Sequence, residues 1–263
     1  VQNYHSYENE EGKIISGTPC DSLKEVGRTR RKGTRITFLP DARVFETISV
    51  NFETVSNRLR ELAYLNKGVT FILDDKRDKI GSKHREYVYS GGICDFVKEL
   101  NADKSPLYPE PIYISAVHEG IDVEIALQHN SGYTDNLFSY VNNIPTTEGG
   151  THETGFKSGL TKVMNDYCRR IGALKPKDVS LAGEDFREGL TALLSLRMQN
   201  VQFEGQTKTH LGNTEARIAV ESVVTEFLTR FLEDLKNADI GNMMVDKAMK
   251  AARAKEAARR AKT

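Results

Sequence analysis

The strongest constraint on the fold of this chain is a pair of helical stripes that flank a β-rich stretch. Phe156, Leu160, Val163, Tyr167 and Ile171 recur at spacings of three and four, and so do Val220, Val223, Phe227, Phe231 and Leu235. Such spacing puts apolar side chains on one helix face, and that face must be buried against another layer. Thr151 is expected to cap the first helix and Gly172 to close it, while Asn213 opens the second. The other layer lies before and between them. Ile112 to Val117 and Ile121 to Leu127 are β-rich around Glu119-Gly120, a hairpin signal, and Leu137 to Val141 and Leu190 to Met198 read as further strands. The expected fold class is α+β: a two-layer α/β arrangement in which two or three helices cover a small sheet.

The first half is less regular. Residues 1–30 read as short polar strands and turns, with turn signals at Gly12-Lys13 and Gly17-Thr18-Pro19. Arg28 to Lys32 is a basic loop, and Thr34 to Leu39 alternates polar and apolar like a strand that Pro40-Asp41 ends. Phe52, Val55, Leu59, Leu62 and Leu65 form a helical stripe closed by Gly68. A strand over Val69 to Leu73 and a charged loop from Asp74 to Arg85 follow. A domain boundary is expected near Gly91-Gly92, then a short helix from Ile93 to Leu100, then a linker through Pro106, Pro109 and Pro111. The last 23 residues are rich in Ala, Lys and Arg with no Gly after Gly241, a strongly helical composition.

Composition excludes several classes. The 263 residues are 38% hydrophobic, enough for a core. The net charge is zero, so the chain as a whole offers no argument for nucleic-acid binding. Cys20, Cys94 and Cys168 are an odd number and far apart, which suggests neither a disulfide framework nor a cysteine zinc site, and no metal site is expected. No apolar run approaches the roughly 20 residues that span a bilayer, and no signal peptide is visible, so a cytoplasmic setting without membrane contact is expected. The chain opens Val1-Gln2-Asn3 without an initiator Met and reads as a piece of something longer.

The most informative segment runs from Phe203 to Asn213 between a strand and a helix. Its glycines let a backbone approach a ligand closely. Lys208 can reach a phosphate as a point charge, and Gln206 can donate amide hydrogens. The upstream glycine spacing is not that of a Walker A loop, and on chemistry alone such a lysine is usually a solvated surface residue. His152-Glu153 begins like a zinc-protease motif, but Phe156 stands where the second His would be. Met243 and Met244 read as packing residues.

Gln206-Thr207-Lys208 resembles the QTK loop of the ATPase subunits of bacterial type II DNA topoisomerases. Four further segments resemble that family in the same order: Gly33-Thr34 with Phe38 and Pro40-Asp41; Leu59 to Gly68; Phe138 to Ile144 with Glu148 to Glu153; and Gly183 to Leu190. The resemblance implies residues 1–90 as the closing part of a GHKL ATP-binding domain. It implies residues 91–263 as a transducer resembling the second domain of ribosomal protein S5, with a long connecting helix over 241–263. It implies that Lys208, assisted by Gln206, contacts the γ-phosphate of ATP, and that Gly33 and Thr34 border the adenine. In the intact subunit it implies ATP with Mg2+, double-stranded DNA, a gyrase A subunit in an A2B2 assembly and a second B subunit. A topoisomerase IV B subunit, a MutL-like transducer and a non-catalytic interaction module stay open as alternatives.

The Glu that serves this family as hydrolytic base, followed four residues later by a magnesium-binding Asn, and the family's DxGxG segment are not found here, so no catalytic residue is expected and this segment alone is expected not to hydrolyse ATP. Glu61 and Asn66 imitate the first pair but lie five apart, and read as exposed helix residues. Asp185, Arg187 and Glu188 read as a structural ion-pair network. Residues 242–263 hold seven Lys or Arg and two acidic residues. As a helix they would be roughly 30 Å long, a solvated connecting element that could also touch a phosphate backbone in a salt-dependent way.

Overall fold

A computed structural model describes residues 1–77 and 81–261. The chain divides into two compact units, Val1–Asn57 and Arg58–Thr263.

The first unit holds one hairpin, β1 (Tyr4–Glu8) against β2 (Ile14–Pro19). Asn9 closes its turn by accepting from the backbone N–H groups of Glu11 and Lys13 at 3.1 and 2.8 Å. Gly17-Thr18-Pro19 is not a turn but the end of β2. There Gly17 takes φ 69° close to the register irregularity between His5 and Tyr7. The expected strand over Thr34 to Leu39 is not formed. No strand among the described residues pairs with it, and Ile36, Phe38 and Leu39 are 81%, 71% and 83% exposed. Alternation alone supplies a face, and a strand also needs a ladder partner. Helix α1 (Phe52–Leu65) begins in this unit and ends in the next. Its sequence stripe is only half covered, and the buried positions of its last turns are Ala63, Tyr64 and Leu65. Gly68, at φ 78°, follows it as expected.

In the second unit β3 (Phe71–Asp75) pairs with β4 (Lys83–Tyr87). The strand expected from Val69 thus starts two residues later, and much of the expected charged loop is ladder; residues 78–80 lie outside the described residues. Helix α2 (Ile93–Leu100) falls where expected. The proline stretch is not a linker but a packed crossing. The Leu107 N–H donates to the His129 carbonyl at 2.9 Å, Tyr108 is buried, and Gln128 Nε2 donates to the Tyr108 carbonyl at 2.8 Å.

Five strands then build the main sheet: β5 (Ile112–His118), β6 (Ile121–His129), β7 (Asn136–Val141), β8 (Ile144–Pro145) and β9 (Leu190–Arg197), in the order β5-β6-β9-β7-β8. Only β7 and β9 run parallel. Glu119-Gly120 and Asn142-Asn143 turn their hairpins with positive φ at both residues, the two-residue turn that matches strand twist. Helices α3 (Thr151–Arg170), α4 (Gly183–Arg187), α5 (Thr214–Glu233) and α6 (Ala238–Arg260) and the short hairpin β10 (Phe203–Glu204)/β11 (His210–Leu211) complete the unit.

The period of two sorts the sheet's side chains. Ile112, Ile114, Val123, Ile125, Leu127, Ala192, Leu194 and Leu196 join the core with α3 and α5. Ala126, Leu193 and Tyr140 face the other way, against Leu65 of α1 and Ile93 and Val97 of α2. The second face is covered only in part, by a smaller layer, and Tyr113 and Val117 of β5 stay exposed on it.

The stripe of α3 faces the core as read, with Phe156, Leu160, Val163 and Tyr167 buried and Ile171 past the helix end, while that of α5 is buried at Val220 and Val223 and only partly covered beyond them. Thr151 does not cap α3: Gly150 is the N-cap, and the Thr151 hydroxyl donates to the Asn213 carbonyl at 2.6 Å. A Cβ on Gly155 would lie 2.3 Å from the Arg217 carbonyl oxygen, so α3 and α5 meet backbone to backbone. That approach turns the small face of α5, Ala216, Ala219 and Val220, inward and leaves Phe227 and Phe231 half-buried. Leu235 falls in a 3-10 turn, 89% exposed. Helix α6 starts three residues before the expected 241 and buries Met244, Val245, Ala248 and Ala251, while Met243 stays exposed; residues 262–263 lie outside the described residues. No helix among the described residues is long and apolar enough to cross a membrane.

Candidate functional site

The loop that carries Gln206 and Lys208 is the tip of the β10/β11 hairpin. Two residue pairs hold the hairpin, Phe203 with Leu211 and Glu204 with His210. Gly205 enters the tip at φ 79°, and Lys208 takes φ 57°. For a residue with a Cβ this left-handed conformation costs roughly 1 kcal/mol, so the surrounding structure must hold it. Gln206, Thr207 and Lys208 are all exposed. The tip therefore presents an ammonium and an amide to solvent from a fixed backbone, a donor set that suits an anion such as a phosphate.

Support for the tip comes from the segment before α3. The Leu211 N–H donates to the Gly149 carbonyl at 3.1 Å, and Gly150 forms a parallel bridge with Leu211. A Cβ on Gly150 would meet the Leu211 carbonyl oxygen at 2.5 Å, and its φ is 146°, so both the space and the backbone require glycine. The Glu148 N–H donates to the Thr209 carbonyl at 3.0 Å, and the Thr209 hydroxyl donates to Glu148 Oε2 at 2.6 Å. Glu148 and Thr209 carry no signal of this contact in the sequence. They lie 61 residues apart, and no local pattern links them.

Behind this segment the polar groups are buried. His152 accepts or donates at Nε2 with the Thr146 hydroxyl at 2.9 Å, and its Nδ1 has no hydrogen-bond partner among the described residues. Burial, with His210 and Lys157 nearby, lowers its pKa to about 4. Ser139 on β7 bonds both Thr146 and the Glu153 carboxylate, which also pairs with Lys157. His152 and Glu153 are thus packing groups, and no three His, Cys, Asp or Glu side chains come together as a metal site among the described residues.

The other sequence candidates separate. Gly33 and Thr34 belong to the first unit, exposed and outside regular structure. Glu61 and Asn66 are not exposed as expected. Tyr140 donates its hydroxyl to Glu61, Arg58 pairs with Glu61, and the Asn143 amide donates to Asn66 at 3.3 Å. The acidic segment of α4 is an ion-pair network: Arg187 with Asp135 at 2.8 Å, Lys255 with Asp185 at 2.8 Å and Glu184 at 3.4 Å, and Lys247 with Glu188 at 3.8 Å. Lys247 also donates to the Gly132 carbonyl at 2.6 Å, so α6 is tied to α4 by Lys255 and to the segments beside it by Lys247.

The family profile of DNA gyrase B matches residues 92–263. The gyrase B protein of Bacillus mycoides is 47% identical over 251 residues, which cover 95% of this chain and 61% of the relative. That of Clostridium acetobutylicum is 46% identical over 262 residues, 99% of this chain and 39% of the relative. The chain thus spans between about two-fifths and three-fifths of these relatives' length. The crystal structure of the 43K ATPase domain of Thermus thermophilus gyrase B in complex with an aminocoumarin superposes with TM-score 0.81 at 37% identity, covering 95% of this chain and 67% of that one. On sequence and fold together, the chain belongs to the DNA gyrase B family.

Proposed function

We propose that this chain is the part of a gyrase B protein that reads the γ-phosphate of ATP and passes the resulting domain motion toward DNA strand passage. Residues 1–90 close a GHKL ATP-binding domain, and residues 91–263 form the transducer with its connecting helix 241–263. The observation that carries the reading is the left-handed Lys208 on an exposed hairpin tip whose base is tied to the segment that starts α3. In this reading Lys208 pairs with the γ-phosphate and Gln206 donates a hydrogen bond beside it. Gly33 and Thr34 border the adenine. No hydrolytic base and no magnesium ligand is assigned to this segment; in the intact subunit Mg2+ accompanies ATP, and this segment alone does not turn it over.

A ligand shifts a conformational equilibrium only through differential affinity. Lys208 supplies that difference: it gains a charge-assisted bond while the γ-phosphate is present and loses it after hydrolysis. The intact subunit works in the cytoplasm with gyrase A, a second copy of gyrase B and double-stranded DNA, as an ATP-dependent isomerase that introduces negative supercoils. The test is Lys208→Ala in the intact subunit assembled with gyrase A. A hydrogen bond to a charged group contributes about 1.5–3 kcal/mol, so ATP turnover should fall roughly 10- to 100-fold and supercoiling with it, at unchanged thermal midpoint. Turnover at the wild-type rate would remove Lys208 from the mechanism. ATP-dependent relaxation without supercoiling would point instead to a topoisomerase IV subunit.

A further inference from the structure

We propose that Glu148 and Thr209 form a latch that positions Lys208, and that the pair affects nucleotide turnover only through that lysine; this rests on the reading of Lys208 given above. A two-stranded hairpin of this size is marginal by itself, and β10/β11 has two paired residues on each side. Its tip nonetheless holds an exposed Lys208 at φ 57°. The restraint comes from outside the hairpin, and it converges on the residue that follows the lysine. Glu148 grips Thr209 twice, by its N–H to the Thr209 carbonyl at 3.0 Å and by its carboxylate to the Thr209 hydroxyl at 2.6 Å. The Thr207 hydroxyl, on the other side of Lys208, lies 3.2 Å from that of Thr209. Both neighbours of the lysine are thereby tied into one short chain of hydroxyls ending on a carboxylate.

An acidic side chain beside an anion-binding loop opposes the anion electrostatically. Its presence at position 148 therefore needs a compensating task, and holding the Thr209 hydroxyl is the task the geometry gives it. The charge-assisted bond is stronger than one a neutral acceptor would make there. Glu148 and Thr209 are positioning residues in this account and touch no reacting atom.

The experiment uses the intact subunit assembled with gyrase A and measures steady-state ATP turnover. Thr209→Val keeps the shape and the backbone bonds but removes the hydroxyl donor. It should lower kcat/KM about tenfold, with no change in thermal midpoint. Glu148→Ala should do the same, and the two together should lose no more than either alone. Thr209→Ser, which restores the donor, should recover turnover. In a Lys208→Ala background Thr209→Val should cost nothing further, the coupling expected of groups that act as one unit. Losses that multiply in the Thr209→Val/Lys208→Ala double variant would overturn the latch, because the threonine would then act independently of the lysine. So would wild-type turnover of Thr209→Val beside an impaired Lys208→Ala. Wild-type turnover of Lys208→Ala would bring down the lysine reading itself, an outcome distinct from either.

Discussion

His129 and His152 are buried imidazoles held neutral. At His129, Nε2 donates to the Phe186 carbonyl at 2.8 Å and Nδ1 lies 3.0 Å from the Tyr108 hydroxyl, partners that suit the neutral ring. Burial lowers the pKa of each from 6.5 to about 4. A lowered histidine pKa means the unfolded chain binds the proton first. The stability it contributes is whole above pH about 6.5 and is lost as pH falls toward 4, on the order of 3 kcal/mol for each ring. Unfolding followed by denaturant should show that decline across this window, and His129→Gln should flatten it. A slope in His129→Gln equal to the wild type would take that ring out of the account. Neither histidine was legible as a buried group, because its neighbours come from strands and helices distant in sequence. Lys208 and Gln206 can be singled out in the sequence because loop residues that resemble a motif sit adjacent in the chain, and the structure puts both on one exposed hairpin tip.

Among the elements, α2, the β5/β6 hairpin and the strands β7 and β9 lie close to where the sequence put them, since each buries its own pattern locally. The stripe of α3 falls on its inner face, Phe156 to Tyr167, whereas the inner face of α5 is shifted from the read stripe toward Ala216 and Ala219. A close helix approach at Gly155 and Gly159 is a property of two helices together, and the period of one of them does not encode it. The end of α1 carries the same lesson. Tyr140 and Arg58 converge on Glu61, Arg58 Nη2 donates to the Asn143 carbonyl at 2.6 Å, and Arg197 donates to the Leu65 carbonyl at 3.1 Å. Tyr64 stacks between Tyr89 and Phe96 with centroids at 3.6 and 4.6 Å. Glu61 and Asn66 read as exposed polar positions because their partners come from β7 and the turn that follows it. Tyr140→Phe deletes the donor to a charged acceptor and nothing else. It should speed amide exchange over residues 61–65 about tenfold and leave β6 and β9 protected. Unchanged exchange there would mean the hydroxyl does not hold the helix to the sheet.

For the whole molecule, the difference between the two units is one of cover. Unit Arg58–Thr263 buries one face of its sheet under α3 and α5 and part of the other under α1 and α2. In Val1–Asn57 only Phe52 and Ser56 are buried, both on α1, while Leu23, Val26, Ile36, Phe38 and Leu39 are 71–83% exposed. The alternation from Thr34 was a sound reading of a strand-like face, and it failed because the described residues hold nothing to pair with it. A segment with few buried contacts opens at a free energy near zero, and Arg28, Arg30, Arg31 and Lys32 are exposed trypsin sites within it. Limited tryptic digestion of this chain should therefore cut between 28 and 32 before any site in residues 93–260. If residues 1–90 close an ATP-binding domain, the same run should resist trypsin longer in an intact subunit, where that domain would cover Ile36, Phe38 and Leu39. Equal rates of cleavage in the two proteins would show that this apolar face stays uncovered, and the assignment of residues 1–90 would have to be given up.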